Sequence, residues 1–192
     1  MRFAAVTSLA ALLALSAPAV AQEGPQKAPA EPPLAAIVAH FFPGYVPVAL
    51  GDLAAEVGGL TVNDPVYDHS DRSPTAIRAD FDGNGHADFA ILIKKQSASG
   101  SDEIFAILMG HGQGRYAKAM ESYFGRLAED IYLGYMPAGI EIRRTVPWSP
   151  WLESGPLKLS APAVTLNVLN ETSDVFYWDP KRNLFSRATV VD

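Results

Sequence analysis

The spacing of apolar residues changes period part-way along the chain. Leu34, Ile37, Val38, Phe41 and Phe42 fall at i, i+3, i+4, i+7 and i+8, which places one apolar stripe on a short helix. Pro43-Gly44 ends it. A second short helix is predicted after Asp52, whose carboxylate would cap it, with Leu53 and Val57 facing inward and Gly58-Gly59 as the stop. From Thr75 onward the period is two. Ile77, Ala79 and Phe81 alternate with Arg78 and Asp80, and Phe89 to Ile93 and Ile104 to Met109 read as continuous apolar strands. The polar, Ser- and Gly-containing stretch from Lys94 to Glu103 reads as a hairpin loop between them. Gly110 to Gly114 is the next predicted turn, and Tyr116 resumes structure. Further strands are predicted at Ile131 to Tyr135, Gly139 to Arg143, Val164 to Leu169, Val175 to Trp178 and Leu184 to Val191, with a turn at Asp179 to Asn183. Turn signals at roughly ten-residue spacing favour an antiparallel meander. The predicted fold is therefore mainly β (α+β), sandwich-like or partially propeller-like, with short helices near the N-terminus.

The residues before Leu34 lack that patterning. Arg2 followed by the Ala-, Leu- and Val-rich run Phe3 to Leu15 has the charge order and length of a secretory signal, and is too short to span a bilayer. Ala19-Val20-Ala21 is a small-x-small cleavage site, so residues 1–21 are expected to leave and Gln22 to begin the mature chain. Residues 22–33, rich in Pro, Ala, Gln and Glu, cannot bury enough surface to offset ordering entropy and read as a flexible leader. Residues 34–192 are expected to form a single β-rich domain, periplasmic or secreted, with no membrane insertion after signal cleavage.

Composition narrows the chemistry. The chain has no cysteine, which excludes disulfides, thiol catalysis and cysteine metal sites. An exported chain without disulfides must be held by its core, by a bound ion, or by both. The 21 acidic and 15 basic residues give a net charge of −6, one unit more negative once Arg2 leaves, and no basic cluster stands out. A nucleic-acid partner is not expected.

The informative stretch is Asp80-Phe81-Asp82-Gly83-Asn84-Gly85-His86-Ala87-Asp88. Oxygen-bearing side chains stand at loop positions 1, 3, 5 and 9. Calcium takes six to eight oxygen ligands at about 2.3–2.6 Å. Asp80, Asp82, Asn84 and Asp88 could supply four, and the carbonyl of His86 at position 7 a fifth. Gly85 sits where the chain must turn sharply. Position 12 is Ile91 and not a bidentate Glu, and the flanks read as strands, so the loop is not an EF-hand. Three carboxylates suggest an affinity of the order of 10⁻⁴–10⁻³ M, and magnesium would resist this much dehydration. The competing reading is an Asx-rich turn without metal.

The run DFDGNGHADFAIL resembles the aspartate-rich calcium loop of FG-GAP/VCBS-type repeats, over about fifteen residues. The resemblance implies Asp80, Asp82, Asn84, Asp88 and the His86 carbonyl as ligands of a structural calcium ion, and it implies no activity. Propellers of that family carry several such loops and this chain has one. The layout is also similar to small exported bacterial proteins with one such loop, a hairpin and a C-terminal strand pair, here Phe176 to Asp179 and Phe185 to Asp192.

Other constellations carry less. The four histidines, His40, His69, His86 and His111, have no metal-binding spacing. The glycine run 110–114 lacks the Lys-Ser/Thr of a phosphate loop, and no nucleophile elbow is present. Glu129, Asp130 and Glu153 read as solvated charges, Trp148 and Trp151 as cover for one end of the core, and Asn170-Glu171-Thr172 as a formal glycosylation sequon. Asp68, His69, Ser70 and Asp71 could add ligands to the loop, although a solvated loop is preferred. The expected role is a non-enzymatic binding or structural module stabilised by calcium, which leaves room for a protein or glycan partner. The alternatives are a metal-assisted hydrolase drawing on His86, His69 or Asp71, and an enzyme inhibitor presenting residues 110–114 or 148–151.

Overall fold

A computed structural model describes residues 31–61, 64–96, 102–124, 129–143, 156–171 and 173–190. The expected signal segment, most of the leader, Trp148, Trp151 and Glu153 lie outside the described residues, as does Thr172 of the sequon. In chain order the elements are α1 (Leu34–Phe41), β1 (Tyr45–Pro47), α2 (Ala55–Thr61), β2 (Arg72–Ser73), β3 (Ala76–Ala79), β4 (Asp88–Lys95), β5 (Glu103–Gly110), β6 (Tyr116–Tyr123), β7 (Ile131–Met136), β8 (Glu141–Arg143), β9 (Pro156–Lys158), β10 (Ala163–Val168), β11 (Ser173–Asp179) and β12 (Leu184–Val190).

The chain is mainly β, with antiparallel sheets in meander order and two short helices near its N-terminal region. One sheet runs β2-β3-β4-β5-β6, with β1 pairing the far end of β4. A second runs β12-β11-β10-β7, and β8 and β9 form a separate ribbon. No helix among the described residues is long and apolar enough to cross a membrane.

The central strands are apolar on both faces because each face meets a different layer. Ala90 and Leu92 of β4, with Phe105 and Ile107 of β5, point towards Leu133, Val164, Leu166 and Phe176 of the second sheet. Phe89, Ile91 and Ile93, with Ile104, Ala106 and Leu108, point the other way and bury Ile37, Val38 and Phe42 around α1. The second sheet repeats this division. Its outer face buries Ala163, Val175, Tyr177 and Ala188 against Ile142 and Leu159 around the β8–β9 ribbon. The 3-10 turn Pro65–Tyr67 that precedes β2 is held to β7 by a bond from the Tyr67 hydroxyl to the Leu133 carbonyl.

The second helix departs from the expectation drawn from sequence. It begins at Ala55 and runs through Gly58-Gly59 to Thr61. Asp52 does not cap it. Its carboxylate stands three residues before Ala55, accepts the Ala49 N–H at 2.7 Å within the 3-10 turn Leu50–Asp52 and pairs with Lys94 Nζ of β4 at 2.5 Å, so it is committed to the preceding turn and to the sheet and not to the helix. The Lys94 ammonium holds the Asp52 carboxyl below the usual carboxylate range.

Candidate metal centre

The acidic loop joins β3 to β4, and its geometry follows from where those strands must lie. Phe81 is fully buried in the core between the sheets, so the chain is anchored immediately after Asp80. Asp88 begins β4 and is also fully buried. The intervening residues must turn within that span, and Gly83 (φ 75°) and Gly85 (φ 85°) take left-handed conformations that cost a glycine nothing.

Side-chain oxygens then organise the backbone from within. Asp80 accepts the Asn84 N–H on Oδ1 at 3.0 Å and the Gly85 N–H on Oδ2 at 2.9 Å. Asp82 Oδ1 accepts the same Asn84 N–H at 3.0 Å, and Asn84 Oδ1 accepts the His86 N–H at 2.7 Å. The bonds of Asp82 and Asn84, each two residues on, are Asx turns, and with the longer reach of Asp80 they replace the ladder bonds the turn lacks. Asn84 Nδ2 donates to Asp82 Oδ2 at 2.8 Å and to the Gly110 carbonyl at 3.1 Å, which links the loop to the end of β5.

Asp88 closes the loop. Its Oδ2 accepts the Phe81 N–H and its Oδ1 the Gly110 N–H, both at 2.7 Å. Gly110 therefore donates to Asp88 and accepts from Asn84. It also has no room for a side chain, because a Cβ there would collide with the Ala87 carbonyl oxygen. Sequence reading treats Gly110 as the first residue of a turn. The structure places it in the last position of β5, as the point of contact between strand and loop. The pattern of two glycines around His111 was the available signal, but a close approach between distant segments has no local signature.

Asp80, Asp82 and Asp88 each contribute a carboxylate oxygen to one group, all within 4.8 Å of one another. This cluster could hold a metal ion. Every one of these oxygens that accepts an N–H keeps a further lone pair. Like charges this close disfavour full ionisation. Burial pushes the Asp88 carboxyl up to about 6, with the charges of Asp82 and Asp80 adding to the rise and the Gly110 and Phe81 N–H groups opposing it. Burial also raises Asp82, offset in part by Asn84 and reinforced by Asp80.

Of the residues singled out in the sequence, Asp80, Asp82 and Asp88 come together, and Asn84 bonds directly to Asp82. The His86 ring turns away from the cluster and lies against Gly112, where a Cβ would stand 2.9 Å from Cε1. Asp68, His69 and Asp71 are not part of the carboxylate group; Ser70 and Asp71 instead line a separate cleft with Arg72 and Arg78. No family model, curated protein or solved structure matches the chain.

Proposed function

We propose that the chain is an exported, non-enzymatic binding or structural module whose acidic loop carries one calcium ion. The ligands in this reading are Asp80, Asp82, Asn84, Asp88 and the main-chain carbonyl of His86, in the manner of the FG-GAP/VCBS loops that the sequence resembles. The observation that carries it is the convergence of three carboxylate oxygens within 4.8 Å on a loop whose backbone is already held by its own side chains. Two oxygens on opposite sides of one calcium ion stand about 4.8 Å apart, twice the metal–oxygen distance. An ion there would offset the mutual repulsion of Asp80, Asp82 and buried Asp88. Because it would bind the folded chain alone, it would stabilise that chain by mass action.

The test is calorimetry of the chain beginning at Gln22, stripped with chelator and titrated with calcium and with magnesium. A single site of millimolar or tighter affinity for calcium is expected, with a melting temperature that rises with calcium and is insensitive to it in Asp82→Ala. An unchanged melting temperature of the unsubstituted chain at 5–10 times the expected ~10⁻³ M dissociation constant would remove this reading.

A further inference from the structure

A cleft of about 340 Å³ opens beside the loop, between residues 85–87 and the 110–116 turn. Arg78, Arg115, Tyr116 and His86 line it with Gln113, and Glu31 is the one carboxylate among the described residues that line it. Both oxygens of Glu31 are engaged. Oε2 accepts from Arg78 Nη2 at 2.7 Å, and Oε1 accepts from the Tyr116 hydroxyl. The next residue, Pro32, rests on Gly114, where a Cβ would stand 3.0 Å from the ring Cδ. Three contacts thus seat a Glu-Pro dipeptide across the cleft mouth.

The seat is poorly made for a permanent pin. The Arg78 and Glu31 side chains are 40% and 38% exposed, and an ion pair so open to water is easily exchanged. Arg78 grips through one nitrogen only, and its Nε is buried without a hydrogen-bond partner, although guanidinium and carboxylate match best in two-pronged contact. Among the described residues Arg115 has no carboxylate partner, and its guanidinium reaches only the His111 carbonyl, at 3.5 Å. The remaining volume falls within the range of sites that take small ligands or side chains.

We propose that this cleft is a receptor for an extended acidic peptide segment, a glutamate followed by proline, and that the chain's own Glu31-Pro32 is the tethered occupant that a partner's segment displaces. The donors are Arg78 and Tyr116 for the carboxylate, and Gly114 provides the flat surface for the proline. Arg115 supplies further positive charge at the rim. This inference does not depend on the cation reading, since neither Arg78 nor Tyr116 belongs to the carboxylate cluster. A tethered glutamate competes at an effective concentration of the order of millimolar, so the unsubstituted chain should resist an added peptide that a chain lacking Glu31 accepts.

The experiment uses the full mature chain and a fluorescent, end-blocked peptide of sequence APAEPP, which is that of residues 28–33. Anisotropy titrations should show Glu31→Gln binding this peptide at least tenfold more tightly than the unsubstituted chain. Replacing the peptide glutamate by glutamine, or adding Arg78→Gln or Tyr116→Phe to the Glu31→Gln chain, should each weaken binding tenfold or more. Thermal melts of each variant confirm that it is folded. Equal binding of the glutamate and glutamine peptides to folded Glu31→Gln, or no binding of either, would overturn the proposal.

Discussion

Asp88 is a buried carboxylate whose two oxygens each take a main-chain N–H, one from the start of its own loop and one from the end of the neighbouring strand. Asp88→Ala would leave both donors buried without partners, at a cost of about 3 kcal/mol in total, read as a lower urea midpoint with unchanged slope. Gly110→Ala should be at least as damaging, because its methyl group meets the Ala87 carbonyl and moving it away breaks the Asp88 and Asn84 bonds together. Thermal denaturation of that variant in chelator and in calcium would show the loss under both conditions. Asp88 also sets a pH dependence. Its folded pKa of about 6 lies above the ordinary value of 3.8, so the folded chain holds the extra proton. The stability this proton carries is fully present below pH 3.8 and is lost as the pH rises through 6. In chelator, melting temperature should therefore fall between pH 5 and pH 7.5 by more in the unsubstituted chain than in Asp88→Ala. Equal slopes would show that Asp88 titrates normally.

At the scale of elements, the strands were legible because an alternating or continuous apolar run is a direct consequence of which layers a strand touches. β4, β5, β7, β10, β11 and β12 lie where the pattern puts them, within a residue or two. The strands β1, β2 and β9 were not legible, being two or three residues long and defined by pairing alone. The helix α2 starts and stops later than its local signals imply, and the later stop has a physical reason. Val57 is fully buried, and that burial holds the helix through two glycines that on their own would end it. Neither Gly58 nor Gly59 has a positive φ, and a Cβ on either would have open space around it. Gly59→Ala should accordingly stabilise the chain by about 0.5–1 kcal/mol, measured as a raised denaturation midpoint. A neutral or negative effect would mean that the glycine serves something other than the helix. The acidic loop was legible as a set of oxygen-bearing positions. Its attachment to Gly110 was not, because that bond spans residues far apart in the chain.

For the molecule as a whole, one pair of strands decides how the layers depend on one another. Along β4 and β5, odd and even positions belong to different compartments, one closed by α1 and the other by the second sheet. Small residues are set among large ones in both, with Ala90 opposite Ile107 on one side and Ala106 opposite Ile91 on the other. A slip of a single residue in this pairing would send every side chain of the slipped strand to the opposite compartment. The wall between helix and sheet is thus common property: neither room can be refurnished without disturbing the other. Substitutions far apart in the chain, such as one beneath α1 and one beneath β10, should prove energetically linked through the strands they share.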